Sequence, residues 1–172
     1  SKKDRYLVKR LKKESKRLRK MAEETLELSK LESSEAFNKN KKISISDLVM
    51  ESWQTLKPLA EKKDIKINLF IPTKYYISGD IENLKRAFIN ILDNSIRYSP
   101  ITEDIQIEIF KRDSSVVIRV RDKGIGLEEN EFNDIFSRFY RGDPSRTKFK
   151  KSGSGLGLSI TKKIINNNKG FI

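Results

Sequence analysis

Residues 104–122 read DIQIEIFKRDSSVVIRVRD. Apolar and polar residues alternate on both sides of Asp113-Ser114, the pattern of two half-buried strands folded back on a tight turn. This β-hairpin decides the fold class, because helical and strand-like segments flank it in mixed order. Such an order predicts an α+β fold, a two-layer sandwich of helices on one face of a mixed, largely antiparallel sheet.

Upstream, FINILDNSIRYSP (Phe88–Pro100) has the spacing of a buried helix. Asp80, after Gly79, is its expected N-cap, and the helix should run to about Tyr98. At roughly 100° per residue, Leu84, Ala87, Phe88, Ile91, Leu92 and Ser95 share one apolar arc, while Asn83, Asn90, Asn94 and Arg97 cluster beside it. Asn lowers helix stability relative to Ala, so two amides in register need a purpose or a partner; hydrogen bonds to nearby backbone are the plain alternative. Further upstream, KISI, IKINLFI (residues 65–71) and YYIS read as strands, and Ser46–Lys63 reads as a helix with Leu48, Val49, Trp53, Leu56 and Leu59 on one side.

Downstream, DKGIGL (Asp122–Leu127) sets an acid at a strand end before two glycines. An acid there accepts hydrogen bonds from an exocyclic amine, and glycine lets a ring approach the backbone. SGSGLGLSI (Ser152–Ile160) is a glycine loop entering a helix expected to run to about Asn168; free N–H groups and a positive dipole end suit phosphate. Neither the P-loop nor the dinucleotide-binding fingerprint is present, and glycine pairs alone are usually turns. Between these segments a short Phe-rich helix is expected near residues 129–139. A structureless loop of the length seen near 140–153 is usually functional.

At the N-terminus, Tyr6–Leu31 lacks Pro and Gly, and Leu7, Leu11, Leu18, Met21, Thr25 and Leu28 follow a heptad seam interrupted at Glu14. One such helix cannot bury its stripe alone. Ser33–Lys42 is polar and aperiodic, a linker. The net charge is +13, of which residues 1–20 contribute +9. A basic helix suits an acidic partner, a membrane surface, DNA or plain solvation. Because the charge is so local, nucleic acid is not an expected partner. The chain has no cysteine and no histidine, which excludes disulfides, thiolate metal sites and histidine chemistry within it. No apolar run approaches about 18 residues, so the chain itself is not expected to span a membrane.

In their order, these segments resemble the catalytic ATP-binding domain of sensor histidine kinases, of the fold shared with gyrase, Hsp90 and MutL. NILDNSIRYSP resembles the family's N box, DKGIG its first glycine box, IFSRFYRG its F box and GSGLGL its second glycine box. LELSKLES is similar to the end of the second dimerisation helix, and the resemblance extends over about residues 6–170. It implies ATP and Mg²⁺ as cofactors. By similarity Asn94, with Asn90, holds the metal through amide oxygen. Arg97, where the family usually has Lys, and Tyr98 adjoin the phosphates. Asp122 reads the adenine amino group, and Gly124 and Gly126 give close approach. Arg141 stabilises charge on the transferring phosphoryl group, Gly153, Gly155, Leu156 and Gly157 wrap the triphosphate, and residues 140–152 form a mobile lid.

The resemblance also implies domains: residues 1–32 as the second helix of a dimerisation hairpin, 33–42 as linker and 43–172 as the ATP-binding domain. The implied reaction is γ-phosphoryl transfer from ATP to a histidine, then relay to an aspartate of a response regulator. Homodimerisation through the first helix is implied, in a cytoplasmic portion of a membrane protein. Departures are plain. No histidine is present, the family's His-Gly-Gly appears as Asn168-Lys169-Gly170, and the sequence stops at Phe171-Ile172. A piece of a longer protein is therefore expected. The other reading is a non-kinase ATP switch of the same fold, whose base would be a glutamate one turn before Asn94, where this chain has Asn90.

Overall fold

The computed structural model describes residues 2–33, 41–142 and 153–172. Helix α1 spans Lys2–Glu32, strand β1 Lys41–Ser44, helix α2 Ile45–Glu61, β2 Ile67–Phe70, β3 Tyr76–Gly79 and helix α3 Ile81–Tyr98. Strands β4 (Ile105–Arg112) and β5 (Ser115–Arg121) follow, and helix α4 (Gly157–Asn167) comes last. Most of the expected linker, and residues 143–152 of the expected lid, lie outside the described residues.

The hairpin forms as its alternation requires. Gln106 pairs with Arg121 and Arg112 with Ser115, so the loop is Asp113-Ser114. Asp113 takes φ +55°, the left-handed region that Asp tolerates better than most residues. Strand β2 joins the other edge of β4 in parallel, Ile67 opposite Ile105, giving the order β2-β4-β5. Strands β1 and β3 form a separate antiparallel pair, Lys41 opposite Gly79. The sheet is thus mixed, with one parallel pairing, as an α+β fold with a hairpin allows.

Period 2 along β4 sends Ile105, Ile107 and Ile109 inward, each fully buried. On the other face Glu108 accepts from Arg119 at 2.9 Å and Arg121 at 3.4 Å. The inward row meets a helical layer through Val49 and Leu56 of α2, Phe88, Leu92 and Ile96 of α3, and Ile160 and Ile164 of α4. Truncating so enclosed a side chain as Leu92 to Ala costs about 2–5 kcal/mol. Two of the three helices of this layer start on a side-chain cap: Ser44 Oγ accepts from Asp47 N, and Asp80 accepts from Asn83 N at 3.1 Å and Asn83 Nδ2 at 2.9 Å.

Three expectations change. The Phe-rich segment is no α-helix: a single 3-10 turn at Glu129–Glu131 leads into turns closed by Asp134 N→Glu131 O, Ser137 N→Asp134 O and Tyr140 N→Ser137 O. Asn130, Asn133, Asp134 and Ser137 offer local alternatives to the helical ladder, and Phe139 reverses the chain at φ +62°. Ile91 is only half-buried, while Ile96, outside the expected arc, is fully enclosed. Lastly, the heptad seam of α1 is not buried along its length. Leu7, Leu11 and Leu18 are exposed, whereas Glu24, Leu28 and Leu31 are buried. Only the C-terminal turns of α1 dock, with Asn167 Nδ2 donating to Leu31 O at 2.9 Å and ion pairs Glu27–Arg86 and Glu32–Arg138.

Candidate functional site

A cleft of about 360 Å³ opens at the C-terminal half of α3. Asn90, Ile91, Asn94, Arg97 and Tyr98 form one wall, Asp122, Gly124 and Gly126 another, and Arg141 with Gly153, Gly155 and Gly157 a third. Eleven of the twelve residues singled out in sequence therefore line one cavity. Leu156 departs. Its side chain is fully buried in the core and its N–H takes Ser154 Oγ at 3.2 Å, because the residue before α4 must anchor that helix to the helical layer.

Each wall has a local cause. Asn90 Nδ2 donates to Gly157 O at 3.2 Å, tying α3 to the first turn of α4. Thr161 Oγ1 donates to the same carbonyl at 2.9 Å. With its N–H₂ so engaged, Asn90 keeps its amide oxygen as an acceptor. Arg97 Nε donates to Asp93 Oδ2 at 2.6 Å, one turn earlier, which holds the guanidinium at the cleft. Asp122 Oδ1 accepts from Gly124 N at 2.9 Å. A Cβ at Gly124 would lie 2.8 Å from that oxygen and 3.1 Å from Tyr98 O, so a side chain there would push Asp122 aside and crowd the Tyr98 carbonyl. Gly155, at φ +80°, is closer still: its Cβ would meet the Phe139 carbonyl carbon at 2.7 Å and Tyr140 O at 2.8 Å. Asp122 itself is exposed at the rim, where a buried acceptor fits its expected role better.

Two supports were not visible in sequence. Lys63 Nζ donates to Ile96 O at 2.8 Å, Arg97 O at 2.7 Å and Ser99 O at 2.9 Å, closing the C-terminus of α3. Burial, and then the like charge of Arg97, hold its pKa below the ordinary lysine value. Across the cleft Tyr140 OH donates to Glu131 Oε1 at 2.9 Å, and Glu131 Oε2 accepts from Glu128 N at 2.9 Å. Burial and the Glu131 carboxylate push the Tyr140 pKa up, so the phenol stays a donor beside Arg141. The family's usual His position has its own use here: Asn168 Oδ1 accepts from Asp80 N at 3.1 Å.

Among the described residues no cluster of His, Cys, Asp and Glu could hold a metal. Amide oxygens at Asn90 and Asn94, open to water and phosphate, suit a hard cation that keeps much of its hydration, as Mg²⁺ does. Mg²⁺ fits these residues better than a softer transition metal.

Residues 79–172, more than half of the chain, match the family described as histidine kinase-, DNA gyrase B-, and HSP90-like ATPase, and the chain belongs to that family. It carries the ATP-binding ATPase domain found in histidine kinases. It is 35% identical over 159 residues to the sensor-like histidine kinase SenX3 of Mycolicibacterium smegmatis, covering 92% of this chain and 41% of that protein. Against the sensor histidine kinase CusS of Escherichia coli K12 it is 32% identical over 156 residues, 91% of this chain and 32% of that protein. The chain thus spans about a third to two fifths of the length of these curated relatives. Among solved structures, the mycobacterial sensor histidine kinase MprB superposes with a TM-score of 0.66 at 25% identity, covering 76% of this chain and 80% of that one. Full-length ShkA in complex with AMPPNP gives 0.72 at 21% identity, over 87% of this chain and 31% of that one, a likeness of fold.

Proposed function

We propose that this chain binds MgATP in the α3 cleft and, within a sensor histidine kinase, presents the γ-phosphoryl group to a histidine supplied by another segment or chain. The observation that carries this is the convergence of the Asn90/Asn94/Arg97 stripe, the Asp122–Gly126 turn and the Gly153–Gly157 loop on one cavity. Asn94 and Asn90 would hold Mg²⁺ through amide oxygen, which would draw charge from the phosphates. Arg97 and Arg141 would bring positive charge to the triphosphate, and the N–H groups at the start of α4 would receive it. Asp122 would accept from the adenine amino group, with Gly124 and Gly126 admitting the ring.

The phosphorylated histidine would pass its group to an aspartate of a response regulator. Residues 1–32 would belong to a dimerisation hairpin, 33–42 to a linker and 43–172 to the ATP-binding unit, with homodimerisation through α1. Its exposed Leu7, Leu11 and Leu18 support that use. No helix among the described residues is long and apolar enough to cross a membrane. The relatives are sensor proteins, which supports a cytoplasmic place on a membrane-anchored protein. Titration with labelled ATP, with Mg²⁺ and with a chelator, tests the binding. Mixing in an acceptor-histidine helix and radiolabelled MgATP tests the transfer, expected as acid-labile, base-stable phosphate. Absence of magnesium-dependent ATP binding would refute the proposal.

A further inference from the structure

Glu24 is the one ionisable side chain that is buried among the described residues, at 8% exposure. Its Oε2 has no hydrogen-bond partner among them. Its Oε1 lies 3.6 Å from Lys20 Nζ, beyond hydrogen-bond length. Both residues belong to α1, yet both line the cleft together with Asn90 and Asn94. The cause is the docking of α1: Glu27 pairs with Arg86, and Arg86, Asn90 and Asn94 follow one another at four-residue spacing along α3. One turn before Glu27, Glu24 is carried along that stripe to the amides.

A buried carboxylate with an unmade bond destabilises a fold unless something completes it. The Arg86 guanidinium, already paired with Glu27, also attracts Glu24, but towards a triphosphate the carboxylate itself is repulsive. With a divalent cation between them the sign reverses, because carboxylate and phosphate oxygens are both ligands that Mg²⁺ prefers. We propose that Glu24 is a residue of the metal–nucleotide site, its carboxylate facing the Mg²⁺ carried by ATP, and that α1 is thereby a wall of that site. This rests on the MgATP reading above. It adds a specific role: Glu24 makes nucleotide binding depend on the metal. Without metal it opposes the phosphates, and with metal it joins them.

The measurement is the ratio of labelled-ATP dissociation constants in chelator and in Mg²⁺, taken on the full 172-residue chain. Glu24→Gln keeps shape and burial and removes the charge. Its ratio should fall by about fivefold or more, the lower end of ordinary couplings between two ligands, through tighter metal-free and weaker metal-bound binding. A carboxylate that only packs α1 would change the melting temperature and leave the ratio alone. An unchanged ratio in a folded Glu24→Gln protein overturns the proposal. Where that variant does not fold, Glu24→Asp, which keeps the charge but withdraws it by one methylene, should lower the ratio in the same direction. Equality with wild type overturns it likewise. A wild-type chain that binds no ATP in either condition overturns the MgATP reading itself, whereas a metal-dependent wild type with an unaltered mutant ratio removes only the role of Glu24.

Discussion

Replacing Lys63 with Met should loosen the cleft from behind. The ammonium donates three bonds of 2.7 to 2.9 Å to carbonyls at the end of α3, and Met keeps most of the stem while removing every donor. Hydrogen bonds to a charged group contribute about 1.5–3 kcal/mol each when well buried. Lys63 is only half-buried, and water would reach part of the vacated carbonyls. The three together, with about 0.3–1 kcal/mol for the helix dipole, should be worth about 2–3 kcal/mol. At about 2–4 °C per kcal/mol for a chain of this size, the melting temperature should fall by about 5–10 °C. Urea unfolding and thermal melts read the change directly. A loss below about 0.5 kcal/mol, the scale of a neutral surface substitution, would refute the reasoning. The pH dependence gives a second reading. Burial and Arg97 lower the folded-state pKa of Lys63 below 10.5. The unfolded chain therefore holds its proton to higher pH, and in the window between the two values it binds more protons. Stability from this group must rise with pH there, so the deficit of the mutant relative to wild type should widen as pH climbs towards 10.5. A deficit that narrows would contradict the assignment.

Asn94→Ala should weaken ATP binding in Mg²⁺ by tenfold or more, about 1.4 kcal/mol, with little change in chelator or in the melting temperature; equal titrations in Mg²⁺ for mutant and wild type would remove the metal role. Asp122→Ala should cut the preference for ATP over GTP by about threefold or more, since a hydrogen bond at an exposed acceptor contributes about 0.5–1.5 kcal/mol, and competition assays with both nucleotides read this. Gly155→Ala should lower ATP affinity and destabilise by about 1–3 kcal/mol, because a Cβ at φ +80° would sit 2.7 Å from the Phe139 backbone; a stable mutant with normal affinity would show that the glycine loop need not hold this conformation.

What could be read from sequence was what is encoded locally. The hairpin, the Asp80 cap and the amide stripe depend on period 2, on one side chain three residues from its partner, and on helical spacing, so neighbouring residues suffice. Lys63 and Glu24 depend on where distant pieces dock. Lys63 reaches carbonyls 33 to 36 residues away, and nothing in KKD around it marks it from other lysines. Glu24 lies next to a heptad-seam position in sequence, and only the docking of the last turns of α1 brings it to the cleft. Glu131 has no periodicity to reveal it, since its segment forms turns. Leu156 shows the reverse failure: inside a glycine motif expected to bind nucleotide, its own side chain belongs to the core. Asp122 occupies the expected wall but stays exposed.

Helices α3 and α4 differ in length, and the mismatch has its own consequence. Asn168 joins the end of α4 to the start of α3 at Asp80, and Asn90 joins the middle of α3 to the start of α4 at Gly157. Matched over that span, the helices run out of register at one end only, where residues 91–98 of α3 continue for about 12 Å at 1.5 Å per residue. Those eight residues form a ledge, and Ile91, Asn94, Arg97 and Tyr98 stand on it. The vacancy above the ledge is what a helix seven residues shorter leaves behind. Adding two turns to the front of α4 would put protein in the cleft and displace the Gly153–Leu156 loop, so in this fold the room for a ligand is written in the length of a helix that contributes few of the contacts.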